Sequence, residues 1–230
     1  GEAITSSDDI RTYFDALAAA DPARMQVRSY GESWQGRDLV YAIISSAENM
    51  ARLDTLQARL ATLGAGERLS DADLADTPAV VWLAYGVHGD EVTPSDSAVF
   101  MAYHLLAAQN NELADTILDN TLVIIDPNQN PDGRERFRHG FLSGLGLEPR
   151  GDRYAVEHDQ PWPRGRFNHY VFDLNRDWFA MTQPETRGKV KALLDWHPVV
   201  FVDSHEMGGD QPYFFPPSAD PFNPHITAGQ

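Results

Sequence analysis

"PAVVWLAYGVHGDEVTPSD", residues 78–96, joins an apolar run to a polar cluster. The run reads as a buried strand. The cluster puts His88, Asp90 and Glu91 where the chain leaves the core. "TPSDSAVFMAYHLLAA", from Thr93 onward, then reads as a helix with Thr93 or Ser95 as its cap. Strand, polar turn and helix in succession are the unit from which α/β sheets are built.

The same succession recurs outward from this stretch. Upstream, "SSDDIRTYFDALAAADP" predicts a helix capped by Ser6 or Ser7, with Ile10, Phe14 and Leu17 on one face and a stop at Asp21-Pro22. "MQVRSYGESWQGRDLVYAIIS" predicts two short strands around a turn at Gly31 to Gly36. "ENMARLDTLQARLATLG" carries Met50, Leu53, Leu56 and Leu60 at helical spacing and ends at Gly64, and residues 65–77 read as a polar connection. Downstream, "TLVIID" is an apolar strand running into the turn-rich "PNQNPDG". Residues 138–170 read as a long irregular loop, a kind that often carries function. "QPETRGKVKALLDW" is a helix with Pro184 in its first turn, and "PVVFVD" is a strand ending in Ser204-His205-Glu206. The alternation predicts an α/β domain with a largely parallel sheet, in which ligands bind beyond the carboxyl ends of strands. His88 and Glu91 lie past one such end and His205 past another.

Alone, His88-x-x-Glu91 says little. With 8 His and 34 Asp and Glu in 230 residues, about one such pair is expected by chance. Two strand-end clusters together say more. Two imidazoles and a carboxylate form a catalytic zinc set that leaves the fourth position open to water or substrate. His88 and Glu91 reach one ion from a single turn, with Gly89 letting the backbone bend between them, and His205 fixes the ion to a second strand. Such a metal activates water and polarises a carbonyl. Asp90 and Glu206 point away from their neighbours on extended backbone and read as outer or solvated groups. Between the clusters lies "FDLNRDWF", residues 172–179. An arginine beside a metal can hold a substrate carboxylate through a bidentate fork, Asn175 can hydrogen-bond next to it, and Asp173 can orient a ligating histidine.

These residues resemble the zinc carboxypeptidases of the carboxypeptidase A type. The matching motifs are "HGDE" at 88–91, "NPDG" at 130–133, "DLNR" at 173–176 and "DSHE" at 203–206, and "YGESWQGRDLVYAIIS" resembles that family's N-terminal hairpin. The resemblance covers most of residues 6–216. It implies a three-layer α/β/α sandwich around a mixed, largely parallel central sheet, and one zinc ion (Zn2+) on His88, Glu91 and His205. It gives Asn175 and Arg176 the substrate's terminal carboxylate, hydrogen-bonds Asp173 to His88, and assigns the arginine near the scissile carbonyl to Arg166 ahead of Arg164. The implied substrates are the C-termini of peptides and proteins. The family's general base is a glutamate on a late strand, after a substrate-capping tyrosine. Past Glu206 this chain has no glutamate, its last acid is Asp220, and Tyr213 lies too close to His205 to be that tyrosine. The expectation is a single catalytic domain over residues 1–230 that lacks its last strands and helices. The other histidines have no ligand spacing. His104 reads as a helix residue and His169 as a local packing group.

Composition removes other classes. The formal net charge of −16 disfavours binding nucleic acid or an anionic membrane through general electrostatics. No apolar run approaches the ~18 residues of a membrane span. With 0 Cys there is no thiolate site, no disulfide and no cysteine nucleophile. Two rival readings share the motifs: an aspartoacylase or succinylglutamate desuccinylase-like amidohydrolase of N-acyl amino acids, and a peptide-binding module that keeps the metal but lacks the base. "NPDG" and the hairpin favour the carboxypeptidase. A periplasmic or secreted location follows from family analogy only.

Overall fold

The apolar runs become five strands of one sheet in a computed structural model that describes residues 3–108, 111–208, 224, 225 and 227. They are β1 (Met25–Glu32), β2 (Asp38–Ile44), β3 (Ala79–Tyr85), β4 (Thr121–Asp126) and β5 (Val200–Ser204), in the spatial order β1-β2-β4-β3-β5. β2 runs antiparallel to both β1 and β4, and β3 runs parallel to both β4 and β5. The sheet is mixed, as expected, but its pairings divide evenly, so the parallel part is smaller than the sequence suggested. The cause is the β1–β2 hairpin, whose short turn permits only antiparallel pairing, while each parallel pair needs a helical crossover.

Period-two alternation splits the core into two layers. Ala42, Ile44, Val123 and Ile125 face Ile10, Phe14, Ala98, Ala102 and Leu105 from α1 (Ser7–Ala20) and α5 (Val92–Ala107). Tyr41, Ile43, Leu122, Ile124 and the fully buried Trp82 face the opposite helices, α3 (Leu53–Gly64) and α8 (Pro184–Trp196). Each Ile, Leu, Val or Phe among them contributes roughly 1.5–3 kcal/mol when fully buried. At the sheet edge, β5 leaves Val200, Phe201 and Val202 more than a third exposed.

Several elements differ from expectation. The helix expected around Met50 to Leu60 breaks at Arg52, whose backbone is non-helical, giving α2 (Ala47–Ala51) before α3. The connection at 65–77 contains α4 (Asp71–Ala75), capped by the Ser70 hydroxyl, which accepts from the Asp73 amide. α6 (Glu112–Asn120) precedes β4 and buries Ala114 and Leu118. α7 (Pro131–Gly144) takes in the first residues of the expected loop, so the irregular stretch begins at 145 and holds a 3-10 turn at Val156–His158. α5 starts at Val92 with Glu91 at its N-cap, so Thr93 and Ser95 lie inside it. Tyr213 and Asp220 fall outside the described residues.

"NPDG" is a structural junction. Asn130 caps α7 by accepting from the Gly133 amide at 3.0 Å, and its own amide donates to the carbonyls of Val87 (3.2 Å) and Arg166 (3.1 Å). Asp132 is buried and accepts from Ser33 Oγ, the Gln35 amide and Arg37, which pins the hairpin turn to α7. A Cβ on Gly89 would lie 2.1 Å from the Arg134 amide nitrogen. Gly89 is therefore required by the close approach of α7, and the positive φ in this turn, 69°, belongs to Gly86.

Candidate metal centre

β3 and β5 are parallel neighbours in register, with Tyr85 opposite Ser204, so the segments that follow them leave the sheet on the same side. His88 emerges from the first, buried, and the Glu91 amide turns back to its carbonyl at 3.2 Å. That turn brings Glu91 Oε1 within 2.6 Å of His88 Nδ1. From the second segment, His205 Nδ1 reaches Glu91 Oε2 at 3.0 Å. One ligand atom from each of the three residues lies within 4.8 Å of the others. Each imidazole is anchored by its other nitrogen: His88 Nε2 sits 3.1 Å from Asp173 Oδ1, and His205 Nε2 sits 2.9 Å from Asp203 Oδ2. A carboxylate only accepts, so without a metal each Nδ1 also shares a proton with Glu91; a bound ion would displace that proton, leaving Nε2–H on the aspartate and the Nδ1 lone pair for the metal. Two imidazole nitrogens and one carboxylate, aimed at one point, fit a zinc ion.

Charges within the cluster reinforce one another. Burial opposes ionisation of Glu91, but hydrogen bonds from His205, His88 and the Glu206 amide outweigh it and hold its pKa at about 2. The Asp203 hydrogen bond, then the Glu91 hydrogen bond, push His205 up to about 9 in this metal-free state. Asp173 and Asp203 stay below the usual carboxylate range despite burial, through hydrogen bonds from Arg166 and from His205 and Gln129 respectively.

A sequence profile described as zinc carboxypeptidase matches residues 10–203. The chain belongs to the zinc carboxypeptidase family. Carboxypeptidase D of Mus musculus is 30% identical over 189 residues, which are 79% of this chain and 12% of the mouse protein. Two solved structures share the fold. A metallo-carboxypeptidase from Burkholderia cenocepacia aligns with a TM-score of 0.59 at 18% identity, over 91% of this chain and 43% of its own. Carboxypeptidase A from Helicoverpa armigera aligns with a TM-score of 0.56 at 17% identity, over 89% of this chain and 46% of its own. The chain thus spans under half of each of these solved chains and about an eighth of the mouse protein.

In this member of the zinc carboxypeptidase family, Arg166, Asp173 and Asn175 lie beside the candidate ligands. Arg166 forks onto Asp173 Oδ2 through Nε (3.0 Å) and Nη2 (2.8 Å), and its Nη1 stands 3.3 Å from His88 Nδ1. The Asp173 carboxylate caps a single 3-10 turn, Leu174–Arg176, by accepting from the Asn175 amide. With Leu174 buried, that turn holds Asn175 half-buried and Arg176 exposed. Asn175 Nδ2 reaches His205 Nε2 at 3.3 Å, but the ionised Asp203 at 2.9 Å is the stronger claimant on that nitrogen. Arg176 Nη1 donates to the Asn175 carbonyl at 3.0 Å. Asp90 turns away from the cluster toward Gln160. His104 is exposed on α5, and His169 packs edge-on against Tyr170.

Sequence reasoning passed over two of the residues here. Asp203 orients His205, and the signal for it was present, since residues two apart on a strand share a face. Glu206 is exposed and, as expected, an outer group rather than a candidate ligand, but its contacts went unforeseen. Its amide donates to Glu91 Oε2 at 2.9 Å, and its carboxylate accepts from the Thr93 amide and hydroxyl, capping α5 from another strand end. No local pattern announces a cap supplied from 113 residues away.

Proposed function

We propose that the protein is a zinc-dependent carboxypeptidase, with zinc held by His88, Glu91 and His205, that cleaves the C-terminal peptide bond of peptides and proteins. The convergence of the two Nδ1 atoms on the Glu91 carboxylate, each ring fixed from behind by an aspartate, carries the reading. Bound zinc supplies Lewis acidity, polarising the scissile carbonyl and acidifying water. Arg166 is held by Asp173 through one side of its guanidinium, which leaves Nη1 facing the ligands as a fixed donor for charge developing on the carbonyl oxygen. Arg176 and Asn175 bind the substrate's free carboxylate, Arg176 through two parallel N–H groups. Residues 1–230 act as part of one catalytic domain, and the apolar edge of β5 is where further strands of such a domain would pair.

The test is kcat/KM for matched free-acid and amidated peptides. Arg176→Ala should weaken recognition of free-acid peptides by roughly 2–5 kcal/mol, the cost typical of truncating one member of a charge pair. Arg176→Lys, which keeps the charge and loses the fork, should fall between. Zinc content should stay the same in both. An Arg176→Ala protein that still prefers the free acid as strongly as the wild type contradicts the assignment.

A further inference from the structure

Behind His205 lies a buried cation that the zinc reading does not use. Lys189 projects from α8 and is 2% exposed. Its ammonium lies 3.9 Å above the Trp178 ring and donates to Gln129 Oε1 at 2.6 Å. Gln129 is itself buried, and its backbone amide is pinned to the Tyr85 carbonyl at the end of β3. Its side-chain amide donates to Asp203 Oδ1 at 3.2 Å. Strand register brings the acids together: Asp126 of β4 and Asp203 of β5 both lie opposite Ala84 of β3. Ala84 faces the α8 side of the sheet, where the charge of Lys189 acts on both carboxylates.

Every hydrogen bond in this row has a forced direction. An ammonium has three donors and no acceptor, so Gln129 must turn its oxygen to Lys189. Its NH2 group then faces Asp203 and occupies Oδ1. Oδ2 is left for His205 Nε2, at 2.9 Å. In the neutral ring that a metal requires, that bond keeps the proton of His205 on Nε2 and leaves the Nδ1 lone pair for the ion. Without Lys189, Gln129 could flip and turn a carbonyl oxygen on the Asp203 carboxylate. On the other side of the site the row is shorter: His88 is anchored by Asp173, and Asp173 by the Arg166 fork.

We infer that Lys189 and Gln129 are positioning residues, which fix the ring orientation and tautomer of His205 through Asp203 and so set the affinity of the site for zinc. The inference rests on the zinc reading above and goes beyond it, because neither residue touches metal or substrate. The competing role is structural: Lys189 as the counter-charge of the fully buried Asp126.

Charge separates the two roles. Removing a positive charge near a bound dication strengthens zinc binding by Coulomb's law alone. Lys189 is therefore removed together with a buried negative charge, so that net charge is unchanged and a loss of affinity reports lost positioning. Gln129→Met removes the amide without changing charge. Lys189→Met combined with Asp126→Asn removes both buried charges together, which leaves no lone buried ion to unfold the protein.

The experiment is zinc affinity of the 230-residue chain by chelator competition, with zinc-free melting temperature and imidazole 15N shifts of His205 measured alongside. Both variants should bind zinc about tenfold more weakly, the low end of the ~10–100-fold typical of groups that orient a ligand. In both, His205 should lose its uniform Nε2–H tautomer, read in the zinc-free chain above pH 9, where the ring is neutral. Wild-type or tighter affinity, with an unaltered tautomer, in the folded variants overturns the inference and leaves the zinc reading standing. A wild-type chain that takes up no zinc overturns both.

Discussion

His205 and Glu91 are held by opposite charges, and each therefore ties stability to pH. In the zinc-free protein, His205 is raised to about 9 from an ordinary 6.5. A raised basic group stabilises the fold fully below its unfolded pKa and loses that contribution as pH climbs through its folded one. Glu91 is lowered to about 2 from 4.5, so its contribution is present above about 4.5 and lost as pH falls through about 2. Both are in force between about 4.5 and 6.5. The zinc-free melting temperature should peak in that window and fall toward pH 9, and His205→Ala should flatten the alkaline limb. An unchanged alkaline limb in His205→Ala would contradict the electrostatic assignment. Residues of this kind were half legible in the sequence. His88, Glu91 and His205 stood out because each follows an apolar run that ends in polar residues. Asp173 stood out because "DLNR" is compact. Gln129 did not, because its partners Lys189 and Asp203 are 60 and 74 residues away and meet it only through strand register.

Turns and caps between elements position the site, and the hairpin shows how. The turn between β1 and β2 is held by three donors, Ser33 Oγ, the Gln35 amide and Arg37, all on the buried Asp132 carboxylate in the first turn of α7. Asp132→Ala should strand those donors and destabilise the protein by about 2–4 kcal/mol in urea unfolding, at the lower end for a buried charge pair because Arg37 is partly solvated. A change under about 0.5 kcal/mol, the range of ordinary surface substitutions, would count against the pinned turn. Strands and the longer amphipathic helices were legible because their apolar spacing is strong. α4 was not, since it buries no residue and depends on a Ser70 cap. α7 ran on into the expected loop because its buried residues, Pro131 to Arg134, sit in its first turn and leave the rest without an apolar stripe.

Across the whole molecule, one mixed sheet with helices on both faces brings His205 onto the carboxylate of Glu91, 114 residues away in sequence. The alternation of strands and helices made the fold class legible. Strand order was not, because apolar strands carry no label for their neighbours, and the adjacency of β3 and β5 is what completes the site. Among the described residues, no helix is long and apolar enough to cross a membrane. Because the candidate ligands come from separate segments, zinc held by them would bind the folded chain in preference to the unfolded one. Zinc at 100 times its dissociation constant should add about 2.7 kcal/mol of stability and raise the melting temperature by several degrees. His88→Ala should abolish that rise, and a rise equal to the wild type's would contradict ligation by His88. The account stands most directly on elemental analysis of protein purified without chelator, comparing the wild type with the variant that carries His88→Ala and His205→Ala together. It predicts one zinc per wild-type chain and almost none in the double variant; full zinc occupancy in the double variant would contradict it.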